Sequence, residues 1–277
     1  MKAETFGNSW LDMDLPFPCE LHPLFPQPSH VPNAKKVLVV FSEPKQGMVD
    51  DQWILNNYKE YDLIVAYNRK LAHLPNVRIL DAGGTRCNQT PALKSATVSF
   101  ILSTGHNAPH FEGYKLRRDV VTQFASSSLP FRVYLSSRHI VLSEEENTRV
   151  QEHMTNNKYV VYPLGESKLP AFESMFHVAV ENCMNDNFFT EKLLDCFRTY
   201  TIPIYWGTDA VLDIFDRRGI IFAHNLEEIQ QALASLTVKD YWGRLEAMAK
   251  NYALAGNYMN QVGELKKMLL QEFEWSL

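Results

Sequence analysis

The stretch FHVAVENCMNDNFFTEKLLDCFRTYTIPIYWG, from Phe176 to Gly207, constrains the fold more than any other part of the chain. FHVAV and TIPIYW are short apolar runs that read as buried strands. Between them, Thr190 can cap TEKLLDCFRTY, in which Leu193, Phe197 and Tyr200 recur at helical spacing. A helix of about eleven residues at about 1.5 Å each spans roughly 16 Å, the length of a five-residue strand, so it can return the chain for parallel pairing. The segment is a compact βαβ unit, and parallel strands of this kind need helices over their faces.

The same rhythm runs through most of the sequence. KVLVVF (Lys36 to Phe41), DLIVAY, NVRILDAGG, TVSFILS, RVYLSS, YVVYPL and GIIFAH are further strand candidates separated by helical or loop stretches. One helix is expected from Asp50 to Tyr58, and another in YKLRRDVVTQF, with Leu116, Val120, Val121 and Phe124 on one face. Asn225 caps LEEIQQALASL with Glu228 at the third helical position, and Tyr241 to Leu277 reads as amphipathic helix broken near Gly256 and Gly263. Six of the fourteen prolines fall between Pro16 and Pro32, so an extended or irregular lead-in is expected there, with the regular fold starting after it. Alternation of this sort predicts an α/β fold with parallel sheets, and 277 residues suffice for two domains.

Charge and motifs narrow the function. A net charge of -5 gives no overall attraction to phosphate backbones, which argues against nucleic acid as a partner. The dense basic run KLRR, Lys115 to Arg118, could help hold phosphate through Lys115, Arg117 and Arg118, but is expected on a solvated outer helix face. Cys19, Cys87, Cys183 and Cys196 show no CxxC spacing and read as reduced thiols. With no apolar leader and no run of about 18 apolar residues, the chain is expected to be soluble and cytoplasmic, and the sequon at Asn88 to be fortuitous. HExxH, GxSxG, P-loop and GxGxxG motifs are absent, and Asn107 to Pro109 separate His106 from His110 in a way that disfavours a shared metal. Trp242, Tyr252 and Tyr258 are expected to be packing residues rather than a sugar platform.

In a βαβ unit the loop after the first strand and the first turn of the helix meet at the carboxyl edge of the sheet, where open α/β sheets bind ligands. Glu181, Asn182, Glu191 and Lys192 all fall there. Free N–H groups at the helix start, the macrodipole and the Lys192 ammonium suit a phosphate or diphosphate, while Glu191 can accept hydrogen bonds from sugar or ribose hydroxyls. As an isolated motif, TEK is more often what a well-capped surface helix carries.

The surroundings of that motif resemble a known signature. VEN (Val180 to Asn182), TEK (Thr190 to Lys192) and IPIYWG (Ile202 to Gly207) are similar, in residues and nearly in spacing, to the α1,3-fucosyltransferases of glycosyltransferase family 10. SFILS with NAPH looks like the first strand and loop of that family's donor domain, and FSEP followed by DLIVAY looks like its acceptor-domain strand ending in an acidic residue. The resemblance is strong over the quoted segment and partial over about half the chain. It implies a GT-B architecture, two Rossmann-like domains facing a cleft, with no metal or other cofactor required. The expected division is an acceptor-side domain at 1–91 with its proline-rich arm, a nucleotide-sugar domain at 92–250, and a C-terminal helical segment at 251–277 that packs back on the first domain. By the same resemblance Glu43 is the catalytic base, and Asn182, Phe188, Glu191 and Lys192, with Glu181 beside them, contact the donor. The expected activity is inverting transfer of a sugar, first GDP-fucose, to a glycan hydroxyl.

Departures from the pattern bear on the donor. Phe188 stands where the family has a tyrosine, and the segment from Lys158 to Phe176 lacks the family's phosphate-binding arginine, leaving Lys168 as the nearest basic residue. Only about 35 residues precede KVLVVF, so the N-terminal domain reads as abbreviated. A UDP-sugar such as UDP-xylose, or a non-catalytic carbohydrate-binding role, remain the competing expectations.

Overall fold

The computed structural model describes residues 3–5, 13–23, 31–41, 49–87, 89–91, 93–103, 111–136 and 142–273. Glu43, His106 and His110 lie outside the described residues, so the expectations placed on them have no structural counterpart here. Two compact units divide the chain: Met1–Gly84 with Asp186–Phe188 and Asn260–Leu277, and Thr85–Asn185 with Phe189–Met259.

The first unit is a parallel five-stranded sheet in the order β1-β2-β3-β4-β5, formed by Glu4–Thr5, Cys19–Pro23, Lys35–Val40, Leu63–Ala66 and Val77–Ile79. Val37, Leu38, Val39 and all four residues of β4 are buried, the mark of strands covered on both faces. Helix α1, Asp51–Asn57, follows β3 and is capped by Asp50, whose carboxylate accepts the N–H of Trp53 at 2.7 Å.

Strand β2 corrects the reading of the proline-rich segment as an irregular lead-in. CELHP is wholly buried and pairs in parallel with β1 and β3, from Cys19 opposite Lys35 to Pro23 opposite Val39. Pro18 precedes the strand and Pro23 ends it, so neither interrupts the middle of the ladder. Cys19 and Leu21 join the apolar cluster, while the intervening Glu20 is satisfied at 2.6 Å by the N–H of Val31.

The second unit is a parallel six-stranded sheet. Its strands are β6 (Ser95–Leu102), β7 (Phe131–Leu135), β8 (Val160–Pro163), β9 (Ser174–Val180), β10 (Ile202–Trp206) and β11 (Ile221–Phe222), in the order β11-β10-β9-β6-β7-β8. From β6 the chain steps outward through β7 to β8, then crosses back to lay β9 on the other side of β6. That reversal makes a topological switch point between β6 and β9. Helices α2 (Glu112–Thr122), α3 (Glu144–Thr155), α4 (Glu191–Arg198), α5 (Val211–Ile214), α6 (Leu226–Ser235) and α7 (Val238–Ala255) complete the unit. Helix α4 buries Leu193, Leu194, Cys196 and Phe197 completely, as its spacing required.

The unit boundaries fall at 84/85 and 259/260 rather than at 91/92 and 250/251. The segment Thr85–Cys87 is tied by hydrogen bonds to Asp195 on α4, which draws it into the second unit. At the other end α7 runs unbroken to Ala255, and the helical break comes at the 3-10 turn Gly256–Tyr258. Gly263, expected as a second break, lies inside α8 (Gln261–Glu272), whose Leu265, Leu269 and Leu270 pack with Leu21, Val37 and Leu63 in the core of the first unit. Trp242 is 60% exposed and meets the Tyr241 ring edge-on, whereas Tyr252 stacks on the Arg198 guanidinium and Tyr258 meets Phe189 edge-on. Among the described residues no helix is long and apolar enough to cross a membrane.

Candidate functional site

A cavity of about 350 Å³ opens at the carboxyl ends of β6 and β9, at the switch point of the second sheet, and its volume is in the range that holds a small-molecule ligand. Asn182, Glu191, Lys192 and Lys168, all singled out in the sequence, line it together. So do Arg86, Arg117 and His177, which the sequence reading did not assign to a site.

Glu181 lies just behind the lining and organises the start of α4. Fully buried, it accepts the N–H of Thr190 at 2.8 Å and the Thr190 hydroxyl at 2.7 Å, and it faces the Lys192 ammonium at 3.5 Å. Burial pushes its carboxyl up, against the pull of Lys192. The Thr190 hydroxyl in turn accepts from the backbone N–H and the ammonium of Lys192. The N–H groups foreseen as a free phosphate cradle are therefore partly spent within the protein, and the charge of the lining side chains carries the preference for anions.

Glu191 sits among those cations. Its carboxylate is 3.7 Å from the Lys168 ammonium and 3.6 Å from that of Lys192. Burial opposes the charge, but Lys192, Lys168 and Arg86 together hold this carboxyl well below the usual carboxylate range. Among the described residues of the lining, four cationic side chains, Arg86, Arg117, Lys168 and Lys192, thus face one ionised carboxylate. His177 adds no charge: burial, helped by Lys168 and Lys94, pulls its imidazole down to about 3, and its Nδ1 lies 2.8 Å from the Ser99 hydroxyl.

Arg117 corrects the reading of KLRR as a solvated face. The side chain is 3% exposed, and its guanidinium donates to the carbonyls of Val180 and Ser103 and, at 2.6 Å, to Asn182 Oδ1. The signal was present in the sequence, because Gly113, Arg117, Val120 and Val121 share one helical face. Gly113 lets that face approach: its N–H donates to the Asn182 carbonyl at 3.0 Å, and an added Cβ would stand 1.9 Å from the Glu181 carbonyl oxygen. Lys115 and Arg118 do lie toward the surface, paired with Asp119 and Glu146.

Phe188 is not part of this lining. It is buried and its ring packs on Tyr67 at 5.1 Å, within the first unit. Among the described residues no group of three or more His, Cys, Asp or Glu side chains is placed to hold a metal ion. Cys19, Cys87, Cys183 and Cys196 are all buried free thiols.

No protein-family model matches the chain. A stretch of 58 residues, 21% of this chain and 12% of its relative, is 31% identical to the α-(1,3)-fucosyltransferase FucT of Helicobacter pylori. The pneumococcal O-GlcNAc transferase GtfA, solved in complex with UDP and GlcNAc, aligns with a TM-score of 0.52 and 15% identity over 87% of this chain and 53% of its own. An α1,3-fucosyltransferase solved with GDP-fucose aligns with a TM-score of 0.50 and 17% identity, over 83% of this chain and 69% of its own. The fold is that of the GT-B glycosyltransferases. The chain spans about half the length of GtfA, and its likeness to both GT-B structures is one of fold.

Proposed function

We propose that this chain is a nucleotide-sugar-dependent glycosyltransferase resembling family 10, whose donor diphosphate occupies the cavity of the second unit. The observation that carries the reading is the lining itself, four cations against one carboxylate at a sheet switch point. In this reading Lys192 and Lys168 bear on the departing diphosphate, Asn182 and Glu191 on donor hydroxyls, and Glu181 holds Thr190 and Lys192 in place. Phe188, committed to Tyr67, drops out of the donor contacts. GDP-fucose is the first donor to test, on the signature and on the identity shared with FucT. The first unit serves the acceptor, a glycan hydroxyl.

The reaction proposed is an inverting displacement. Glu43 takes the proton of the acceptor hydroxyl, the acceptor oxygen bonds to the anomeric carbon, and the bond from that carbon to the diphosphate breaks with its electron pair leaving on the diphosphate. Glu43→Gln is expected to keep nucleotide affinity and lower turnover by about 100-fold or more.

Calorimetric titration with GDP, UDP, ADP and CMP tests the assignment before any acceptor is known. GDP binding that weakens tenfold or more in Lys192→Ala is the expected result. Selective UDP binding would keep the site and replace the donor by a UDP-sugar. Absence of binding by every nucleotide would overturn the reading in favour of a carbohydrate-binding protein without transfer activity.

A further inference from the structure

The cations of the cavity differ in how far the protein already uses them. Arg117 is held by the carbonyls of Val180 and Ser103 and by Asn182. Lys168 stands 3.4 Å from Asp195 Oδ2 and 3.7 Å from Glu191 Oε1. Lys192 donates to the Thr190 hydroxyl at 3.0 Å and faces Glu181 and Glu191. Arg86 is the exception: it lines the cavity and its charge acts on Glu191, yet among the described residues no hydrogen bond or ion pair engages its guanidinium.

The backbone beneath Arg86, by contrast, is pinned. Asp195, on the buried face of α4, is 0% exposed. Its Oδ1 accepts the Thr85 hydroxyl at 2.9 Å, the Arg86 N–H at 2.7 Å and the Cys87 N–H at 3.1 Å. A buried carboxylate is costly unless its lone pairs are met, and here they are met by one short segment and by Lys168. Thr85 is held further through its own N–H, which donates to the Tyr258 carbonyl at 3.4 Å. An exposed arginine on a loop would ordinarily sample many directions, whereas this one starts from a backbone fixed to the helix that opens the cavity.

We infer that Arg86 is a binding residue for the donor's diphosphate and that Asp195 is the positioning residue that sets it there. The inference rests on the reading of this cavity as a nucleotide-sugar site. The guanidinium suits the role because its planar fork takes two phosphate oxygens at once, which the ammonium of Lys168 cannot do. Lys168, the cation that the sequence suggested for the phosphates, is shared with Asp195 and Glu191 and brings a point charge rather than a fork to the diphosphate.

The test titrates GDP, guanosine and inorganic pyrophosphate into the wild type, Arg86→Ala, Arg86→Lys, Asp195→Ala and Asp195→Asn. Arg86→Ala is expected to weaken GDP and pyrophosphate tenfold or more, flatten the salt dependence of GDP binding and leave guanosine unchanged, with Arg86→Lys between. Asp195→Ala is expected to copy Arg86→Ala, and the double variant to lose little beyond either single one, because both act through one contact. Asp195→Asn keeps an oxygen for Thr85, Arg86 and Cys87, so it is expected to bind GDP within threefold of wild type even if Asp195→Ala does not fold. A purely structural Asp195 would instead lower guanosine and GDP together and add to Arg86→Ala. GDP binding unaffected by Arg86→Ala would overturn the inference and leave the donor site standing. Pyrophosphate binding that depends on Arg86, in a protein that binds no nucleotide, would uphold Arg86 as an anion residue and remove the nucleotide reading. If the wild type binds neither, both fall.

Discussion

Each sheet carries a cavity at the carboxyl ends of its strands, beside the start of a helix, and the two differ in size and in sign. At β6 and β9 the space is about 350 Å³ and its lining includes Arg86, Arg117, Lys168 and Lys192. At β3, β4 and the start of α1 it is about 10 Å³, and among the described residues the charged side chains that line it are Asp50 and Asp51. There Asn68 donates to Asp51 at 2.5 Å, and burial, with Asp50 beside it, pushes the Asp51 carboxyl up. Among the described residues, the same location in the same kind of sheet is thus basic and roomy in one unit and acidic and narrow in the other. Fold topology supplies the place, and the side chains decide which charge can enter it.

The sharpest way to break that contrast is to remove the buried arginine that ties α2 to the ends of β6 and β9 beside the basic cavity. Arg117→Ala leaves the Val180 and Ser103 carbonyls and Asn182 Oδ1 without their donor, and a loss of about 3 to 5 kcal/mol is expected in urea denaturation. A loss below about 1 kcal/mol would mean that the strand end is held by something else. Gly113→Ala tests the close approach of α2 to β9. Its methyl group overlaps the Glu181 carbonyl, so destabilisation of about 1 to 3 kcal/mol and a lowered Tm are expected, whereas an unchanged Tm would show that α2 can shift at no cost.

Acidity separates the cavities less strongly but in opposite directions. His177 is pulled down to about 3 from an ordinary 6.5, so the unfolded chain takes up a proton that the folded chain refuses. Its stabilisation is therefore complete above about pH 6.5 and is lost progressively as the pH falls toward 3. Denaturation of His177→Gln across that range should show a shallower slope than wild type, and an identical slope would assign the acid lability elsewhere. Asp51 works the other way, since a raised folded-state value favours the folded protein as the pH falls through it. The partly exposed Asp51→Asn variant should change stability least, gaining slightly at neutral pH relative to acid pH. A loss at neutral pH would show that the charged form is the one the fold prefers.

The strands that build the basic cavity were legible because buried parallel strands read as largely apolar runs, as in SFIL and FHVAV, and Thr190 announced the helix between β9 and β10. Strand β2 was hidden by its polar alternation, since Glu20 and His22 are buried in a segment framed by prolines. Arg117 was readable from its place on the buried face of α2, where its charge argued for solvent and its spacing for burial. Arg86 had no local signal at all. Its placement depends on Asp195, more than a hundred positions later, and only the folded chain brings the two together.

The crossover that creates the switch point also dates the site within folding. Strands β6, β7 and β8 pair with sequence neighbours, whereas β9 reaches β6 only after the chain has passed β8, as in the Ser99 to His177 contact, 78 positions apart. Loop closure over that distance is slow relative to local pairing. A refolding chain would regain much of its helix and strand signal before β9 docks, and ligand affinity would return last, with the arrival of that strand.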